Sequence, residues 1–343
     1  VNRLILFFCL SILSAYSLAQ ETGQSKEIED PNTPSSAESG PGSLLPQSGA
    51  APKENISVEV LSDDAFKESI RRLPRLMEKI RVESFAADNP YVLLPHRPNY
   101  ILPVTWHSHP GEHTDISFNE NSEAVTEKEG YQHFEAIFQL SIKYPVAKGV
   151  IGDMSRLEVA YTNRSFWQMY HTDISRPFRE TNHEPELILS WQPQNKNIDY
   201  FAMALNHQSN GQSGDLSRSW NRIIAEAGFV YSNGLLNTKL WWRIPESSRV
   251  GPLGDDNPDI THYMGYGEVR YVFIHGSNTA SIMLRNNVKF SNNKGAIEIG
   301  YNFPLHKKIK GYIQYFNGYG DSLIDYDRSQ QRIAIGIKLS DWL

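Results

Sequence analysis

His207 and Ser209 stand two residues apart in the stretch Asn206-His207-Gln208-Ser209-Asn210-Gly211, and Asn221 follows after Gln212-Ser213-Gly214-Asp215-Leu216-Ser217-Arg218-Ser219-Trp220. On a strand, residues two apart share a face, so an imidazole and a hydroxyl at this spacing can meet one substrate together. If the chain reverses about Gly214, then 207 and 221 lie opposite each other, each being seven residues from that centre. Opposed residues of antiparallel strands hold their Cβ atoms about 4.5–5.5 Å apart. Asn221 is then in reach of the His207 ring while that ring takes the Ser209 proton, the logic of a serine nucleophile with a neutral third member. The His-x-Ser spacing alone is not specific, for His275-Gly276-Ser277 repeats it at a turn.

The elements that must hold these residues follow from periodicity. Beyond Pro98 apolar residues recur at every second position in segments of about ten, the length a tilted strand needs to cross a bilayer. Twelve strands are expected, near Pro98–His107, Gln132–Tyr144, Ser155–Gln168, Glu184–Gln192, Asn197–Ser209, Arg218–Val230, Asn237–Ile244, Ile260–His275, Asn278–Phe290, Lys294–Pro304, Lys308–Gly318 and Arg328–Ser340. Ile333, Ile335, Ile337 and Leu339 interleave with Arg332 and Lys338, and Phe134, Phe138, Leu140 and Ile142 with Glu135, Gln139, Ser141 and Lys143. A soluble sandwich also alternates in this way. Connection lengths favour a transmembrane barrel: Ser108–Tyr131, Met169–His183 and Pro245–Asp259 are long, whereas Pro193–Lys196, Gly276–Ser277 and Leu305–Lys307 are short. By parity His207 and Ser209 continue the oily stripe of Phe201, Met203 and Leu205, so a nucleophile there meets esters only where lipid acyl chains begin.

Composition agrees. The 33 basic against 39 acidic residues, a net charge of -6, exclude a chain built to bind nucleic-acid phosphates. A mean hydropathy of -0.46 with no long apolar run past the N-terminus excludes a helical membrane bundle but not a barrel. Residues 1–19 read as a signal peptide, with Arg3, an apolar stretch from Leu4 to Ala15, and small residues at Ser17 and Ala19. The single cysteine, Cys9, falls inside it, so the expected mature chain has no thiol for zinc or disulfide chemistry. Residues 20–88 read as a largely disordered periplasmic extension, Ser, Gly, Pro and Glu-rich to about Asn55; Asp64–Arg81 then suits a short amphipathic helix interrupted at Pro74. The barrel is expected over 89–343.

The stretch His207–Asn221, with Tyr161-Thr162-Asn163-Arg164-Ser165-Phe166-Trp167-Gln168, Arg176–Pro185 and Gly318–Tyr326, closely resembles outer membrane phospholipase A of Gram-negative bacteria. The resemblance implies an all-β, twelve-stranded antiparallel transmembrane β-barrel in the bacterial outer membrane. It also implies a calcium-dependent serine hydrolase that removes acyl chains from phospholipids and lysophospholipids, active as a homodimer. Residue by residue, His207, Ser209 and Asn221 match the family's triad and Gly211 the residue whose N–H lines the oxyanion hole. Ser175, Gln212 and Ser217 match its calcium ligands, and Asn163 matches a polar dimer-interface position. Gln212 replaces a familiar Arg, which leaves a backbone-carbonyl ligand intact.

The rival function is a passive porin-like barrel, disfavoured because twelve strands leave a narrow, side-chain-filled lumen. His107, His109 and His113 match no zinc spacing; Asp255-Asp256-Asn257-Pro258-Asp259 has the look of a calcium loop and reads more simply as a solvated extracellular loop, and Trp241-Trp242 read as girdle residues. Deleting residues 20–55, which have no core-forming pattern, is expected to leave heat-modifiable gel migration and lipid hydrolysis unchanged; a chain that no longer assembles overturns the tether reading.

Overall fold

The structure is a computed structural model and describes residues 89, 91–118, 124–173, 176–191, 198–247, 254–306 and 309–340. Its strands are β1 (Leu94–Pro95), β2 (Asn99–His107), β3 (Glu112–Phe118), β4 (Ala124–Gly130), β5 (Phe134–Lys148), β6 (Ser155–Trp167), β7 (Phe178–Trp191), β8 (Tyr200–Ser209), β9 (Ser219–Tyr231), β10 (Gly234–Ile244), β11 (Gly267–His275), β12 (Asn278–Asn286), β13 (Gly295–Pro304), β14 (Lys310–Tyr319) and β15 (Ser329–Ser340). A single-turn 3-10 segment spans Gly214–Leu216, and a short helix, α1, spans Ile260–Met264. Twelve strands, β2 and β5 to β15, pair antiparallel in a ring that closes through β15–β2, β2–β5 and β5–β6. Among the described residues β1 adds a thirteenth strand on β5, and β3 and β4 form a separate hairpin.

Exposure separates a barrel from a soluble sandwich. Along β15, Ile333, Ile335 and Leu339 are exposed while Arg332, Ala334 and Lys338 are buried. The same inversion runs round the wall: Leu140, Val159, Leu187, Met203, Leu240, Trp242 and Val269 face out, and Glu135, Glu158, Glu184, Glu186 and Arg222 face in. An oily exterior over a polar interior suits a wall bathed in lipid and is the reverse of what water would select.

Inside, charge meets charge. Arg97 bridges Glu184 and Glu186, Arg222 reaches Glu184 at 2.8 Å, Lys143 pairs with Glu158 at 3.1 Å and Arg270 with Glu298 at 2.9 Å. Near the loop end Asp321 takes a two-pronged contact from Arg332 at 2.7 and 3.0 Å and another from Arg164 at 2.9 Å. These pairs fill the lumen and oppose its use as a diffusion pore.

Several boundaries differ from the sequence expectation. The strand expected over Ile260–His275 is a helix followed by a strand: Ile260 and Met264, four apart, bury one face, and Gly265 ends the turn at φ 67°. β7 starts at Phe178 rather than Glu184, because Arg179, Glu180 and Asn182 are buried polar groups that no hydrophobic alternation reveals. The long Ser108–Tyr131 connection contains the β3–β4 hairpin. Trp241 is no girdle residue; it is buried, donates Nε1–H to the Gly265 carbonyl at 2.9 Å and meets Trp220 edge-on. The signal-peptide, extension and short-helix expectations for 1–88 lie outside the described residues.

Burial pushes the Asp321 carboxyl up, but Arg332 and Arg164 more than reverse this and hold it well below the usual carboxylate range. Asp321→Ala strands two buried guanidiniums and is expected to cost about 3–5 kcal/mol, read as a lower urea midpoint for loss of heat-modifiable migration. Since the folded pKa is depressed, that stabilisation is full above the unfolded value near ~4 and fades as pH falls toward the folded one, so the variant and wild type should converge in acid.

Candidate active site

The β8–β9 hairpin is the scaffold. Its register pairs Asn206 with Arg222, His207 with Asn221, Gln208 with Trp220 and Ser209 with Ser219. Inward groups anchor it: Trp220 is fully buried, its Nε1–H donates to Gln208 Oε1 at 2.8 Å, and the Arg222 guanidinium lies 4.0 Å from the Trp220 ring centroid. Arg222 Nε donates to Asn206 Oδ1 at 2.9 Å, and Asn206 Nδ2 donates to Glu184 Oε1 at 2.8 Å. With alternate residues locked inside, the others must point outward.

On that outer face His207 Nδ1 lies 2.8 Å from Asn221 Oδ1. Asn221 Nδ2 in turn donates to Glu246 Oε1 at 2.9 Å. No hydrogen bond joins Ser209 to the imidazole among the described residues, a looseness common in catalytic pairs without substrate.

The loop after Ser209 is organised by Asn210, which is buried. Its Nδ2 donates to the Leu216 carbonyl at 2.8 Å and to Glu180 Oε2 at 3.3 Å, while its Oδ1 accepts from the N–H groups of Arg218 at 2.9 Å and Gln212 at 3.3 Å. Gly211 follows at φ 67°, a left-handed conformation that favours glycine. A methyl group at Gly211 would stand 3.7 Å from His183 Cδ2, so the position is strained by backbone rather than by crowding. Among the described residues none accepts the Gly211 N–H.

His183 shares the register of Ser209 across β7–β8 and of Asn163 across β6–β7. Its Nδ1 accepts from Tyr161 Oη at 2.6 Å and from Asn163 Nδ2 at 3.4 Å. Asn163 thus lies on the outward stripe, two strands from Ser209. Ser217 Oγ donates to Asp256 Oδ2 at 2.7 Å, so the acidic loop brings a carboxylate to a candidate calcium ligand. Ser175 lies outside the described residues.

The sequence profile of the phospholipase A1 family matches residues 76–339. The chain belongs to that family. It is 36% identical over 261 residues to phospholipase A1 of Klebsiella pneumoniae, covering 74% of this chain and 84% of that protein. A putative phospholipase A1 of Neisseria meningitidis serogroup B is 37% identical over 257 residues, 72% of this chain and 65% of that protein. Outer membrane phospholipase A from Escherichia coli superposes with a TM-score of 0.63 at 32% identity, over 74% of this chain and 100% of that one. The Salmonella typhi outer membrane phospholipase, solved as a dimer with bound calcium, superposes with a TM-score of 0.64 at 33% identity, over 76% and 97% of the chains. The protein is a bacterial outer-membrane barrel of the outer membrane phospholipase A type, a hydrolase of phospholipids.

Sequence reasoning missed Asn210, His183, Asp256 and Glu246 as neighbours of the site. For Asn210 a signal existed, since an Asn beside a glycine in a turn is a habitual loop organiser. Asn210→Ala removes four hydrogen bonds from the loop that carries Gly211, and kcat on phospholipid is expected to fall about 10–100-fold with gel migration intact. Unchanged turnover shows instead that the loop holds its shape without the amide.

Proposed function

We propose that the chain cleaves the acyl ester bonds of phospholipids, at both acyl positions, and of lysophospholipids, using Ser209 as nucleophile, His207 as base and Asn221 as the group that orients His207. What supports this reading above all is the 2.8 Å His207–Asn221 contact on a lipid-facing stripe that also carries Ser209. Ser209 Oγ attacks the ester carbonyl as His207 Nε2 takes its proton. Asn221 Oδ1 accepts from Nδ1–H and so keeps Nε2 as the basic nitrogen. The Gly211 N–H donates to the oxygen that becomes negative. Collapse breaks the ester C–O bond, His207 returns the proton to the departing alcohol, and a water activated by His207 then releases the fatty acid and restores Ser209.

The donors near the loop suit calcium, a hard cation that takes oxygen ligands: the Ser217 hydroxyl, the Gln212 carbonyl and, beside Ser217, the Asp256 carboxylate, with Ser175 the further ligand that the family resemblance implies. When bound, the ion supplies positive charge to the oxyanion, directly or through a water. A lone wall offers an acyl chain half a groove, so a second copy is the natural partner, as in the calcium-bound Salmonella typhi dimer. Asn163, an amide facing hydrocarbon, gains roughly 1 kcal/mol by meeting its twin.

Ser209→Ala is expected to abolish hydrolysis and sulfonyl fluoride labelling while the folded barrel persists, and wild-type turnover in that variant sinks the nucleophile assignment. Asn221→Ala should weaken rather than abolish activity, a neutral partner contributing less charge stabilisation than a carboxylate. In detergent, crosslinked dimer and activity should rise together over a calcium titration, with the midpoint moved to higher calcium by Ser217→Ala. Full activity in chelator, or a monomer that turns over as fast as the dimer, removes calcium and dimer from the mechanism.

A further inference from the structure

We infer that Glu246 is a positioning residue for hydrolysis, completing a relay Ser209–His207–Asn221–Glu246 in which a carboxylate acts on the imidazole through the intervening amide. The inference rests on the hydrolase reading above. A carboxylate only accepts hydrogen bonds, so the 2.9 Å contact from Asn221 to Glu246 Oε1 must be an N–H donation. That fixes which end of the Asn221 amide faces Glu246, and therefore that Oδ1 faces His207. An acceptor at 2.8 Å from His207 Nδ1 requires Nδ1 to carry the proton, which leaves the Nε2 lone pair for the Ser209 hydroxyl. Without Glu246 the amide is free to flip, and its other face offers His207 a donor that selects the unproductive tautomer.

Glu246 is held for this task. β10 pairs with β9 up to Ile244 opposite Asn221, so the chain leaving β10 passes beside the Asn221 side chain. The Asp255 N–H donates to the Ser247 carbonyl at 2.9 Å, and Arg243 pairs with Asp255 at 2.5 Å, which ties down both flanks. Burial pushes the Glu246 carboxyl above its ordinary value; the Asn221 donor, Arg243 and His207 pull it down and Asp255 pushes it up. Arg243 and Asp255 are the other charges that face the carboxylate.

The test uses the full chain in detergent with calcium, dioctanoyl phosphatidylcholine as substrate and a sulfonyl fluoride as a turnover-independent probe of Ser209. Glu246→Gln, which keeps the shape and removes the charge, and Glu246→Ala are expected to lower kcat about fivefold with KM unchanged. Losing the carboxylate removes a negative charge from the neighbourhood of the base, so the acid limb of kcat/KM and of labelling should move to lower pH. In an Asn221→Ala background Glu246→Ala should cost clearly less than it does in the wild type, because only the through-space part of its effect is left. An acid limb that stays at its wild-type position in both variants, or a Glu246→Ala loss of the same size with and without Asn221, overturns the relay. A wild-type protein that neither hydrolyses the lipid nor labels at Ser209 overturns the hydrolase reading and the relay with it, whereas active wild type with indistinguishable Glu246 variants overturns the relay alone.

Discussion

A strand edge in hydrocarbon exposes a row of N–H and C=O groups with no water to bind them, at several kcal/mol for each unsatisfied group. The sheet must therefore close, and it does so where β5 pairs with β2 on one side and β6 on the other. Closure leaves each wall residue one of two directions, lipid or lumen. The position of every functional group in the wall follows from that choice: His207 and Ser209 face lipid because Asn206 and Gln208 are drawn inward by Arg222, Glu184 and Trp220.

The lumen is more than filler. Burying ions is costly unless each is paired and hydrogen-bonded, and breaking a pair costs more than the pair contributes. Glu184 illustrates this by serving Arg97, Arg222 and Asn206 at once, which ties the N-terminal approach to β2 to the strands of the β8–β9 hairpin. Arg179 performs the same service nearer the loops, joining Glu135 of β5 to Asp325 beyond β14. The outer stripe is thus held from behind by charged groups that never touch lipid, and the hairpin can carry polar residues such as His207, Ser209 and Asn221 outward on a fixed scaffold.

How much of this the sequence disclosed follows from the range of each interaction. Alternation is local, so the strands were legible, and so was the His207–Asn221 pairing, which depends only on a symmetric turn about Gly214. The start of β7 was hidden because Arg179, Glu180 and Asn182 are satisfied by partners as remote as Asp325, Ile324 and Asn210. The helix at Ile260–Met264 escaped notice because five residues are too few for helical spacing to stand out from alternation. Asp256 and Glu246 lie in a connection whose composition suggests solvent; only the fold shows the chain turning back onto Ser217 and Asn221.

The choice of an amide as the partner of His207 has a physical reason in this location. Asn221 sits on a face continuous with Met203, Leu205 and Leu240, where a carboxylate would carry a desolvation penalty set by its depth in the bilayer. An amide is neutral, hence inexpensive there, yet offers the imidazolium only a dipole. Glu246 resolves the conflict by standing just past the end of β10, beyond the spanning part of the wall, where water can solvate what the amide does not. Charge stabilisation is then delivered from the rim to a base at the lipid boundary through one fixed amide. Neither residue is sufficient alone: Asn221 without the carboxylate lacks a reason to choose its orientation, and Glu246 without Asn221 reaches the imidazole only through space.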